Sequence, residues 1–159
     1  MKGVHPEGEG YSRECWWPEG YNVQDHKVLL ANLECVRDSI VWEVDRDNMK
    51  ILSLKPTLIR ETPHYQYAIG NKKPYQEYLE KCRHITWARS AINQQDMKIG
   101  EMYDKFDKIL NSEYYYLQPP YENKYIIVDS NARLIDGLHR SVALLVKGFT
   151  KVPVAVVGL

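Results

Sequence analysis

The chain has 159 residues, with 21 acidic against 21 basic side chains and a formal net charge of zero. That length builds one domain with a substantial core. The balanced charge argues against a protein held to nucleic acid by bulk phosphate neutralisation, while leaving room for a local basic patch. No run of about 18 apolar residues is present to span a membrane, and the opening Met1-Lys2-Gly3-Val4-His5-Pro6 lacks the apolar centre of a signal peptide.

Residues 1 to about 22 are rich in Gly, Pro, Trp and charge and read as an arm, with Cys15-Trp16-Trp17-Pro18 as its anchor. Together with a lead-in they make up residues 1–38, ahead of a main domain at 39–159. Val28 to Val36 can be drawn as a short helix or an apolar strand. Ser39-Ile40-Val41-Trp42-Glu43-Val44 is β-branched and aromatic and reads as a strand. Asp45-Arg46-Asp47-Asn48 is a turn signal, and Lys50-Ile51-Leu52-Ser53-Leu54 reads as the returning strand of a hairpin. Cys35 and Trp42 are expected in the core.

Pro56 and Pro63 bar a long regular element across residues 55–65. Pro74 suits the first turn of a helix running to about His84, with Tyr75, Tyr78, Leu79 and Cys82 on one face. The clearest helix starts near Asp96, a potential cap. There Ile99, Met102, Tyr103, Phe106, Ile109 and Leu110 recur every three or four residues, and Asn111 can close it. It is expected to pack on a sheet and is given no chemistry. Tyr114-Tyr115-Tyr116 and Tyr121 frame Pro119-Pro120, as in an ordered aromatic linker.

The last third carries the strongest pattern. Tyr125-Ile126-Ile127-Val128 reads as a strand, Asp129-Ser130-Asn131-Ala132 as a turn and Arg133-Leu134-Ile135 as a short return strand. A helix capped by Asp136 or Gly137 then reaches about Lys147. Gly148 closes it in a left-handed conformation, Phe149 folds back, and Lys151 to Val157 forms a buried strand. Cys15, Cys35 and Cys82 are odd in number, far apart and without a CxxC pair, which reads as reduced thiols in a cytoplasmic protein. No two ligands have the spacing of a zinc finger.

The chemistry concentrates in Asp136-Gly137-Leu138-His139-Arg140-Ser141. A helix starting here leaves its first N–H groups unpaired, at the positive pole of its dipole. Gly137 permits a tight turn and close approach of a ligand. Arg140 offers a planar fork for phosphate oxygens, and His139 can donate to phosphate or move a proton near neutral pH. Leu138 and Val142 can face the core, leaving His139, Arg140 and Ser141 toward the loop mouth. Asp136 has two readings: it caps the helix and pairs with Arg140 or His139, or it helps hold a magnesium ion that also binds phosphates. A capped, salt-bridged helix start without function is the bland alternative.

These residues carry a resemblance. Ile135 to Arg140, followed by Ser141-Val142-Ala143-Leu144-Leu145 and, after Gly148, by Val152-Pro153-Val154, resembles the ParB/sulfiredoxin-like superfamily. The match is specific from Tyr125 to Val157. Upstream, Ile51 to Ile59 looks like the leading strand of that superfamily, and Thr62-Pro63-His64-Tyr65 is similar to a stretch of its phage-borne and polysaccharide-locus members. The resemblance implies a small α/β (α+β) fold, a mixed sheet with packed helices that binds nucleotide phosphates at this loop. Known activities include CTP-dependent DNA clamping, ATP-dependent phosphorylation of a sulfinic acid and phosphorylation of free serine, and some members have been called nucleases. Carried over by position, phosphate contact falls on Gly137, His139 and Arg140, with Asp136 at the entrance.

Departures narrow the choice. Leu138 stands between Gly137 and His139 where sulfiredoxins have a reactive cysteine. No helix-turn-helix is expected where the sequence closes at Leu159. The leading expectation is a phosphotransferase that uses ATP or CTP with Mg2+ on a small hydroxyl-bearing acceptor. Gly137, Leu138, His139, Arg140 and Ser141 would form its phosphate site, with Asp136 at the metal. Catalytic groups would be Asp136, His139 and Glu61, the last as an acid across the cleft. Arg60 and His64, with Lys55, can close over the phosphates, or equally form a surface loop pair. The alternatives are a non-catalytic module that senses nucleotide or DNA and, last, a metal-dependent nuclease.

Overall fold

The computed structural model describes residues 26–48, 50–82, 99–111 and 125–158. The Trp16-Trp17 arm, Cys15, the Asp96 cap and the Tyr114 to Tyr121 linker lie outside these residues. Among the described residues the fold is α+β, built from a four-stranded sheet, a separate hairpin and four α-helices. No helix among the described residues is long and apolar enough to cross a membrane.

The sheet is assembled around the sequence from Tyr125 onward. Strand β4 (Ile126–Asp129) turns back into β5 (Leu134–Asp136), antiparallel to it. Asp129 makes the turn: its Oδ1 accepts from the backbone N–H of Asn131 at 2.8 Å and of Arg133 at 2.9 Å, an Asx-type turn. Ala132 takes the left-handed conformation there, with φ of 59°. From β5 the chain enters a helix, Leu138–Val146, and returns as β6 (Lys151–Val157), parallel to β4. A parallel pair needs such a crossover. The helix ends as its sequence predicts: Gly148 has φ of 95°. Its N–H donates to the Leu145 carbonyl at 3.0 Å, while the Phe149 N–H reaches the Leu144 carbonyl at 2.9 Å. This is a Schellman closure.

The stretch read as helix or strand resolves as strand β1 (His26–Asn32), followed by a short 3-10 turn, Leu33–Cys35. β1 lies antiparallel to β6 and sets the sheet order β1-β6-β4-β5. Residues 26–32 of the expected lead-in are thus part of the sheet. Both faces of the central strands are buried, which is why they read as unbroken apolar runs. Ile126, Val128, Val152, Val154 and Val156 meet the helices on one face, and Ile127, Ala155 and Val157 lie on the other.

The hairpin is β2 (Arg37–Asp45) with β3 (Lys50–Leu58). β3 runs four residues beyond the expected end, through Pro56, which a two-stranded sheet tolerates because each strand has an open edge. Trp42 is not core. The register steps from Val41 opposite Leu54 to Glu43 opposite Ser53, so Trp42 is the extra residue of a bulge and is 54% exposed. Cys35 is exposed as well. A second 3-10 turn, Ile59–Glu61, leads to α1 (Pro63–Ala68), capped by Thr62, and α2 (Lys73–Cys82) follows. The long amphipathic helix is α3 (Ile99–Leu110), which makes the Leu138–Val146 helix α4. α3 sets its apolar face on helices rather than on a sheet: Phe106 is buried among Tyr67, Tyr75 and His139.

Candidate active site

Asp136 ends β5, opposite Ile127 on β4. The next residue turns strand into helix: Gly137 has φ of 110° and is the N-cap of α4, with no side-chain cap bond. Only glycine fits. A Cβ there would lie 3.1 Å from Cγ1 of Ile126 and 3.2 Å from Nη2 of Arg140. The N-cap position is thus taken by Gly137 rather than by Asp136. Its Oδ2 accepts from Arg140 Nη2 at 3.2 Å, and both side chains are buried.

Arg140 and Ser141 therefore point inward, not toward a loop mouth. The i,i+4 spacing brings Arg140 over Asp136, and a carboxylate buried there needs a charged partner. Ser141 is fully buried, and its hydroxyl donates to the Gly137 carbonyl at 2.8 Å. Leu138 is half-buried and packs on the core. Of the expected phosphate ligands, the half-buried His139 side chain and the Gly137-Leu138-His139 backbone stay at the partly open helix start.

His139 sits at the edge of a ring cluster. Its Nε2 lies 3.1 Å from the Tyr75 hydroxyl, and its ring centroid is 4.7 Å from Phe106 and 4.9 Å from His64. His64 is thus brought next to His139, as the expected site required, but not as a phosphate ligand. It is buried between Tyr75 and Tyr78, and its Nδ1 has no hydrogen-bond partner. Burial, with His139 adding to it, pushes the His64 pKa well below the usual imidazole range. A neutral ring inside the protein cannot close over an anion.

The acid that sequence reasoning missed is Asp38. It lies near the start of β2, which is locked beside β5 by two bonds. The Arg37 N–H donates to the Ala132 carbonyl at 3.0 Å, and Arg133 Nη2 donates to Ser39 Oγ at 3.1 Å. Burial raises the Asp38 carboxyl to about 7, the charge of Asp136 pushes the same way, and the Ser39 N–H opposes both. The Tyr78 phenol, raised mainly by burial, also feels Asp38. Nothing in Arg37-Asp38-Ser39 signals this, because the partner of Asp38 arrives from the far end of the sequence.

Arg60 and Glu61 do not join this group. Arg60 is exposed, and its guanidinium is bound to Glu34 at 2.6 Å and to the Tyr65 hydroxyl. Lys55 lies 4.9 Å over the Trp42 ring. Glu61 lines a groove of about 240 Å3 between β2 and the α1–α2 pair, together with Trp42, Gln66, Glu77, Tyr78 and Lys81. Tyr78 thus lines the groove and lies within electrostatic reach of Asp38.

The donors at Asp136 do not fit a resident magnesium ion. One carboxylate oxygen faces a guanidinium, and no three His, Cys, Asp or Glu side chains gather anywhere among the described residues. The Cys82 thiol is buried and pushed up to about 11, chiefly by burial, which removes it as a nucleophile at neutral pH.

No family model matches the chain, and no curated protein or solved structure is significantly similar to it.

Proposed function

We propose that the chain binds ATP or CTP at the start of α4 and transfers a phosphoryl group to a small hydroxyl-bearing acceptor. The observation that carries this reading is the turn at Gly137. The first intrahelical bond of α4 runs from the Ser141 N–H to the Gly137 carbonyl. Leu138, His139 and Arg140 form the first turn of α4 ahead of it. A glycine turn into a helix start lets a phosphate approach the backbone closely at the positive pole of the helix dipole.

The inward turn of Arg140 supports the reading in a different role. A bare Asp136 carboxylate would repel a phosphate. Pairing with Arg140 offsets much of that charge, which favours the action of the α4 dipole on an approaching anion. His139, held by Tyr75, is the side chain placed to contact the phosphates. Magnesium would come as part of the nucleotide substrate and would supply charge neutralisation at its phosphates.

Asp38, whose carboxyl loses its proton at about pH 7, is the group suited to take the proton of the attacking hydroxyl. The acceptor oxygen bonds to the terminal phosphorus, the bridging P–O bond breaks, and the nucleoside diphosphate leaves. The groove at Trp42 and Tyr78 is the place for the acceptor. Phosphoryl transfer asks the protein mainly for positioning and charge neutralisation.

Isothermal titration with a panel of Mg-nucleotides tests this on the wild type, His139→Ala and Asp38→Asn. The expected result is binding of ATP or CTP, weakened in His139→Ala, and binding without turnover in Asp38→Asn. Failure of every nucleotide to bind refutes the reading. Tight binding with no phosphorylated product from a metabolite pool would make the chain a sensing module. Degradation of plasmid DNA in magnesium or manganese would favour a nuclease.

A further inference from the structure

The strands of this protein treat their open edges differently. β5 is three residues long, and its ladder with β4 is broken by a register shift. β3 exposes Lys50, Lys55 and Pro56, and β2 is bulged at Trp42. Short strands, lysines, prolines and bulges are the usual devices that stop an edge from pairing with another chain. β1 has none of them except Lys27. It is seven residues long, its ladder with β6 is unbroken, and no strand among the described residues lies on its other side.

Its surface is also apolar. Val28, Leu29 and Leu30 are 45, 47 and 74% exposed. Leu29 stands opposite Val154 and belongs to the helix-covered face, while Val28, opposite Ala155, and Leu30, opposite Pro153, belong to the other. Apolar side chains thus flank the open edge on both faces.

We propose that β1 is a self-association edge, at which two copies of this chain pair antiparallel about a two-fold axis through Leu29 and join their sheets into one. The strand is complementary to itself in this register. Centring on Leu29 overlaps all of His26–Asn32 with its copy. Leu29 then faces Leu29, Val28 faces Leu30, and Lys27 faces Ala31, so no like charges are opposed. Centring on Lys27 would set two ammonium groups against each other and lose the Leu30 pairing. A two-fold contact of this kind closes on itself and does not propagate. A single strand edge is small beside the roughly 1,200–2,000 Å2 of a standard stable interface, so the dimer depends on concentration. The proposal stands independently of any nucleotide chemistry.

Sedimentation velocity on the full chain over a concentration series tests it. The expected result is a reversible monomer–dimer equilibrium in the wild type that is lost in Leu30→Lys, a substitution at a side chain exposed enough to spare the core. Cysteine cross-linking reads the register in a Cys15→Ser, Cys35→Ser background. Leu29→Cys should give a disulfide-linked dimer on mild oxidation, because directly opposed residues lie about 4.5–5.5 Å apart at Cα. Lys27→Cys should not, because its copy lies about 13 Å away along the strand. A wild type that stays monomeric to its solubility limit overturns the proposal, including the case in which residues 1–25 of the same chain take the edge. So does a dimer indifferent to Leu30→Lys, or equal cross-linking at the two positions.

Discussion

Asp136 and Arg140 meet across Gly137, one turn of α4 apart, and bury their opposite charges together at 3.2 Å. The pair joins the end of β5 to the first turn of the helix. It carries two charged side chains of the candidate site into the interior.

Removing one member of such a pair leaves the other charge buried and uncompensated. Arg140→Ala should therefore destabilise the protein by about 3–5 kcal/mol. The double variant Asp136→Asn, Arg140→Met should lose less than Arg140→Ala alone. Urea denaturation of the three proteins checks this. A double variant no more stable than the single one would mean that the pair is not the dominant interaction of either side chain.

Gly137 and Gly70 separate backbone strain from steric conflict. Both are left-handed, with φ of 110° and 107°, but a Cβ at Gly70 would meet nothing within 4 Å. Gly70→Ala should cost about 1 kcal/mol for the conformation alone. Gly137→Ala adds contacts with Ile126 and Arg140 and should cost clearly more, about 2–4 kcal/mol. Melting temperatures of the two variants give the comparison.

Asp38 makes a prediction about pH. Its carboxyl holds a proton more tightly in the folded chain, at about 7, than in the unfolded one, near 3.8. Between these values the folded state binds more protons than the unfolded state. This group's contribution to stability is therefore fullest below the lower value, declines as pH rises to the higher one, and is level beyond. Asp38→Asn should remove that decline. The difference between wild-type and variant denaturation midpoints, followed from pH 3.8 to about 7, isolates it from every other titrating group.

The two described cysteines should differ in reactivity. Cys35 is exposed, while Cys82 is buried with its thiol pushed up to about 11. Iodoacetamide at neutral pH should label Cys35 within the time that leaves Cys82 untouched, as read by peptide mass mapping. Early labelling of Cys82 would require α2 to open from the hairpin.

Much of the region from Tyr125 to Val157 was legible in the sequence, because its signals are local. Asp129 marks a turn, Gly148 a helix end, and apolar runs mark strands covered on both faces. What was not legible depends on distant residues. The Asp136–Arg140 pair is one of the readings that the i,i+4 spacing offers, and it is present; the packing that buries it, and so turns Arg140 away from solvent, is not displayed by the sequence. The acid that the sequence offers across the cleft is Glu61, in a loop with His64 and Arg60. The fold instead brings Asp38 within electrostatic reach of Asp136 through a hairpin that docks beside β5. Trp42, apolar and in a strand pattern, was expected inside, and a one-residue bulge put it outside.

The antiparallel ladder of β1 and β6 pairs His26 with Val157, and this has a kinetic consequence. β4, β5, α4 and β6 are close neighbours in the chain and can find one another quickly. β1 cannot pair with β6 until a strand more than a hundred residues downstream has been synthesised, and that closure spans the longest stretch of chain between paired strands among the described residues. During translation, therefore, the same apolar strand waits with both of its edges open. It is the segment through which a nascent chain would first aggregate or engage a chaperone.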